Sequence, residues 1–139
     1  MNPGAWYYSS LIALILYGVW GYWGTRASSF ISPLSITFYS SLGVLISGIV
    51  ALILLDFKPG FCAKGSTYGL LHGLANGIAC IFFIMALRKG PAIPVVMITS
   101  MYPVITLILC VLFLEHELTL KQGLGMFFAL TALILFATE

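Results

Sequence analysis

Residues 90–139 read GPAIPVVMITSMYPVITLILCVLFLEHELTLKQGLGMFFALTALILFATE, and this stretch decides the class of fold. An apolar span broken once by Pro103 leads into a polar hinge, Glu115-His116-Glu117 with Lys121 close behind, and a second apolar span follows. Each span is roughly 20 residues, the length an α-helix needs to cross a hydrocarbon core of about 30 Å. Two membrane-crossing helices joined by a short charged turn form an antiparallel pair.

Working outward, the rest of the chain repeats this design. Hydrophobic residues make up 61% of the 139, and charged residues 7%. Soluble domains carry about 25% charge, so water cannot wet this surface on all sides. The expected class is an all-α integral membrane protein, since open sheet edges go unsatisfied in lipid. Helices are expected over about 6–24, 34–55, 66–87, 92–114 and 118–138, in one domain spanning 1–139. Five spans put the two termini on opposite sides of the membrane. A cleaved leader is not expected, because MNPGAWYYSS lacks Lys and Arg. Trp6, Tyr7 and Tyr8 instead suit an interfacial aromatic belt.

The net charge of +2 with dispersed basic residues gives no reason to expect nucleic acid as a partner. Cys62, Cys80 and Cys110 are an odd number without framework spacing, which argues against disulfides and a metal site. No cofactor is expected. Pro33 opens the second span where its missing N–H costs least. That span is rich in small polar residues, namely Ser35, Thr37, Ser40, Ser41 and Ser47. In the third span Gly65, Gly69, Gly73 and Gly77 recur every four residues. Such spacing lets transmembrane helices touch backbone to backbone, so Gly69, Gly73 and Gly77 are expected to form a packing surface.

Charge gives no preferred orientation. Lys58, Lys64 and Lys121 fall on the face holding the N-terminus, and Arg26, Arg88 and Lys89 on the other, three against three. Cytoplasmic loops normally hold the excess of Lys and Arg, so equal counts predict insertion both ways. The alternative is that Arg88-Lys89, paired at a helix end, fixes one orientation.

Several residues are candidates for a site within the membrane. His72 and Asn76 lie four apart on one helix face. Polar groups in a span usually face the protein interior or a water-filled cavity. They serve either as substrate contacts, with His72 titratable near neutral pH, or as an interhelical hydrogen bond worth on the order of 1 kcal/mol. Pro103 removes a helical hydrogen bond from the Thr99 carbonyl at mid-span, which suits either a moving cavity wall beside Tyr102 or a static kink. Trp20 and Trp23 are able to stack on an aromatic or cationic solute, or simply to pack. Glu115, His116 and Glu117 are consecutive, point in different directions, and read as a solvated turn.

These residues also resemble a known family. Ala86-Leu87-Arg88-Lys89-Gly90-Pro91-Ala92, then Ser100-Met101-Tyr102-Pro103-Val104, then Leu112-Phe113-Leu114 before an acidic turn, then Leu118-Thr119 with Gln122-Gly123 or Gly125, resemble the EamA-type half-domain of the drug/metabolite transporter superfamily. Tyr17-Gly18-Val19-Trp20-Gly21 is similar to the Trp-Gly near that family's first helix. The chain departs from the pattern at the turn, where Glu115-His116-Glu117 replaces the usual Gly-Glu. The resemblance implies half of a ten-helix inverted-repeat transporter, in which two five-helix halves enclose a midplane site. The small multidrug-resistance branch exchanges protons through a Glu in its first helix. The first span here contains no acid, so carboxylate-based antiport is disfavoured.

The expected function is a secondary transporter or facilitator of small amphiphilic metabolites or drugs in the cell inner membrane. It would work by alternating access as an antiparallel, dual-topology homodimer, with Trp20, His72, Asn76, Tyr102 and Pro103 near the substrate. The lipid bilayer, the small-molecule substrate and a second copy of the chain are the expected partners. The alternative is a non-transporting membrane subunit, or one half of a heteromeric transporter. An intramembrane enzyme is not expected, because His72 is the only titratable group within the spans besides tyrosines and cysteines.

Overall fold

A computed structural model of the chain describes residues 5–114 and 119–137. The described residues are helical nearly throughout and divide into two compact units, Met1–Arg88 and Lys89–Glu139. Glu115, His116 and Glu117 lie outside the described residues. Pro33–Leu54, Ala63–Lys89 and Ala92–Leu114 are each long and apolar enough to cross a membrane.

The first unit holds α1 (Ala5–Ser28), α2 (Pro33–Leu54) and α3 (Ala63–Lys89). α1 runs past the expected end at Gly24, through Thr25-Arg26-Ala27-Ser28, which the sequence reads as a polar break. The extra turn keeps its polar side chains satisfied locally: Thr25 Oγ1 donates to the Gly21 carbonyl at 3.0 Å and Ser28 Oγ to the Thr25 carbonyl at 2.7 Å. Ser32 caps α2 by accepting from the Ser35 N–H at 3.2 Å, with Pro33 in the first helical position. At the far end of α2 the Phe57 N–H reaches back to the Leu52 carbonyl at 3.0 Å. That 6→1 closure carries Asp56 and Phe57 through positive φ, 49° and 56°.

The buried side chains gather at one end of this unit. Ile36 near the start of α2 is buried, as are Cys80, Phe83, Ile84 and Leu87 in the last turns of α3. Arg88 Nη1 donates to the Ile31 carbonyl at 3.1 Å, tying the end of α3 to the α1–α2 connection. Arg26 lies over the Phe30 ring in the same connection, 5.6 Å from its centroid. Arg26 and Arg88 therefore both contact the α1–α2 connection.

The second unit holds α4 (Ala92–Thr99), α5 (Tyr102–Leu114) and α6 (Leu120–Ala137), with α4 packed alongside α6. The single expected helix over 92–114 is interrupted rather than merely kinked. The Ser100 N–H still bonds to the Val96 carbonyl at 2.9 Å, but Met101 reaches only Ile98 and Val104 only Met101, each a three-residue step. Pro103 thereby becomes the second residue of a new helix, where its missing N–H is harmless. α6 opens on a capping box: the Thr119 N–H donates to Gln122 Oε1 at 2.9 Å and the Gln122 N–H returns to Thr119 Oγ1 at 3.4 Å.

Candidate functional site

Most Ser and Thr hydroxyls in the helices are engaged by their own backbone. Thr37, Ser41, Ser47, Thr67, Thr106 and Thr131 each donate to the carbonyl four residues earlier. Such local bonds keep a polar side chain satisfied in lipid without a partner helix. Ser40 and Asn76 are different. Neither side chain makes a hydrogen bond to another described residue; Ser40 is half-buried and Asn76 exposed, and both line a half-open cavity in the first unit.

Two cavities of about 260 Å³ and 120 Å³ meet at Trp20, Ser40 and Cys80, which line both. The larger runs toward Gly24, Ile36 and Tyr39 at the packed end of the unit. The smaller runs toward Ser41, Gly73, Asn76 and Gly77. Trp20 is held by Phe83 of α3, its ring stacked at 5.0 Å with an interplanar angle of 18°. A stacked aromatic pair is worth about 0.5–1.5 kcal/mol beyond simple burial. Trp20 nevertheless remains 44% exposed, so indole surface is left for a ligand.

The candidates named from sequence therefore separate. Trp20 and Asn76 come together on the smaller cavity. Trp23 lines the larger one. His72 is exposed on α3 and is not among the residues lining either cavity. Tyr102 and Pro103 belong to the second unit, where both are exposed at the interruption between α4 and α5. Ser40 was visible in sequence only as one of several small polar residues. Its distinguishing feature, a hydroxyl without a local bond, is a property of the structure.

The glycines also separate. A Cβ built on Gly69, Gly73 or Gly77 would meet nothing within 4 Å, whereas one on Gly24 would lie 3.3 Å from Ile84 Cδ1 and 3.5 Å from Phe83 Cε1. The close approach of α1 to α3 is made at Gly24, and the four-residue glycine series of α3 faces open space within the described chain.

The sequence profile of the EamA-like transporter family matches residues 4–138, essentially the whole chain. The chain belongs to this family. It is thus a membrane protein of the drug/metabolite transporter superfamily. An uncharacterized protein of Methanocaldococcus jannaschii, MJ1333.1, is 35% identical over 96 residues, covering 66% of this chain and 70% of that protein. No solved structure matches the chain. Membership of this transporter family suggests a small-molecule substrate and a lipid bilayer as the chain's partners.

Proposed function

We propose that the chain is a five-span half-transporter that moves small amphiphilic solutes across the cell inner membrane by alternating access. Two copies in opposite orientations would rebuild the inverted-repeat unit usual for such transporters. The observation that carries this reading is the half-open Trp20–Ser40–Asn76 cavity, where the half-buried Ser40 and the exposed Asn76 stand unpaired within the spans of a protein of a transporter family. An unpaired amide in a span calls for a solute, water or a partner helix. The equal division of basic residues supports dual insertion. In this reading the interruption before Pro103 lets α4 and α5 move as separate segments. His72 then sits at the edge of the pathway. Without a carboxylate in the first span, facilitated diffusion or His72-coupled transport fits better than carboxylate-based exchange.

Orientation is the deciding test. Cys62 is exposed in the α2–α3 loop, while Cys80 is buried and Cys110 half-buried. With Cys80→Ala and Cys110→Ala in place, a membrane-impermeant maleimide should label about half of Cys62 from outside intact cells, and the remainder after permeabilisation. Labelling from one side only would rule out the antiparallel homodimer and leave a parallel oligomer or half of a heteromeric transporter. Proteoliposomes that move none of a broad panel of amino acids, nucleosides and organic cations would leave the non-transporting subunit.

A further inference from the structure

The chemistry of the cavity walls restricts what they accept. Among the described residues, no Asp, Glu, Lys, Arg or His lines either cavity. A permanently charged solute would lose its water there without gaining a counter-charge. What the walls offer instead is neutral hydrogen bonding. Asn76 presents a carbonyl oxygen and an amide N–H₂ side by side, and Ser40 a hydroxyl that both donates and accepts. Neither is engaged by a described residue. Trp20 adds accessible indole surface, and Phe83 fixes its ring plane from behind. The cavities, at about 260 Å³ and 120 Å³ and joined at Trp20, Ser40 and Cys80, fall together near the lower end of the roughly 300–1,000 Å³ typical of small-molecule sites.

We propose that this site selects uncharged, metabolite-sized solutes bearing an amide or hydroxyl on a planar ring, with Asn76 and Ser40 as the specifying hydrogen-bonding residues and Trp20 as the stacking surface. The inference rests on the transport reading above but concerns recognition, so binding tests it separately from flux. Three probes share one ring and differ in charge: nicotinamide is neutral, 1-methylnicotinamide (methylated on the ring nitrogen) is a cation and nicotinate is an anion. The protein is placed in nanodiscs with Trp6→Phe and Trp23→Phe, leaving Trp20 as the sole tryptophan, and its fluorescence is titrated with each probe.

Nicotinamide should bind at least about tenfold more tightly than either ion, because each ion loses hydration at the site without gaining a counter-charge. Asn76→Leu and Ser40→Ala should each weaken nicotinamide binding several-fold, while the preference for the neutral ring over the ions persists and the helical signal in circular dichroism stays unchanged. Asn76→Asp should shift preference toward the cation, because it adds the missing counter-charge. A wild-type preference for the cation or the anion overturns the proposal. So does the absence of any response to nicotinamide, or nicotinamide binding indifferent to both Asn76→Leu and Ser40→Ala. Flux of charged solutes in proteoliposomes, with no preference for neutral ones, would sink the substrate class while leaving transport intact. Selective nicotinamide binding without flux of any solute would do the reverse.

Discussion

The two halves of α3 are built differently. From Cys80 to Lys89 the helix is a packing element: Cys80, Phe83, Ile84 and Leu87 are buried, Phe83 stacks on Trp20, and Gly24 of α1 comes against Ile84. From Ala63 to Gly77 no residue is buried, Gly69, Gly73 and Gly77 have no side-chain neighbour, and Asn76 opens on a cavity. The half with the stronger packing signature in its sequence is the half the chain does not pack against. A glycine series makes close approach possible, but a neighbour must be present to use it. The bulky half of α3 finds its neighbour at one glycine on another helix.

Four substitutions break or sharpen this contrast. Ile84 is 1% exposed, and Ile84→Ala should cause the largest loss, about 2–3 kcal/mol in a denaturant titration in mixed micelles. The value should fall at the low end for a buried isoleucine, because lipid is as apolar as the core and only the packing contribution is lost. Gly24→Leu should follow at about 2 kcal/mol, since its side chain must displace Ile84 and Phe83. Disulfide trapping between cysteines introduced in α1 and α3 should report the helices moving apart. Phe83→Leu keeps the apolar bulk but removes the ring under Trp20, so a loss of about 1 kcal/mol is expected. A change in Trp20 emission would accompany it.

The smallest effect belongs to Gly73→Ala, which should change the stability of the isolated chain by less than about 0.5 kcal/mol. Self-association measured by energy transfer between labelled copies gives this variant a second reading. Weaker association there would mean that a second copy occupies the glycine face. Unchanged association would place the contact elsewhere, and a large loss of stability in the isolated chain would contradict the open face itself.

Much of the backbone was legible because its signals are local. Pro33 starts α2, Gly90-Pro91 separates α3 from α4, and Thr119 with Gln122 starts α6, each through a bond or steric rule confined to one turn. Pro103 was legible as a disturbance. That it opens a new helix depends on how Ser100 and Met101 close the previous one. The site was half legible. Spacing put His72 and Asn76 on one face, but four residues separate them by about 6 Å along the helix axis, and only Asn76 stands at the depth of the cavity. Ser40 could not be told from Ser41 by residue type. Ser41 bonds to the Thr37 carbonyl, while Ser40 lines both cavities without a local partner.

The sequence by itself determined the solvent, the helical class and the family. Each follows from quantities summed along the chain: 61% hydrophobic residues, 7% charged, and ordered motifs over nearly its whole length. Only the tertiary structure decided which glycine receives a neighbour, which polar side chains are left unpaired and which aromatic ring borders the cavity. These depend on where one helix lies against another. In lipid that placement is set by the fit of particular side chains, because the hydrophobic pattern that drives packing in water no longer distinguishes one helix face from another.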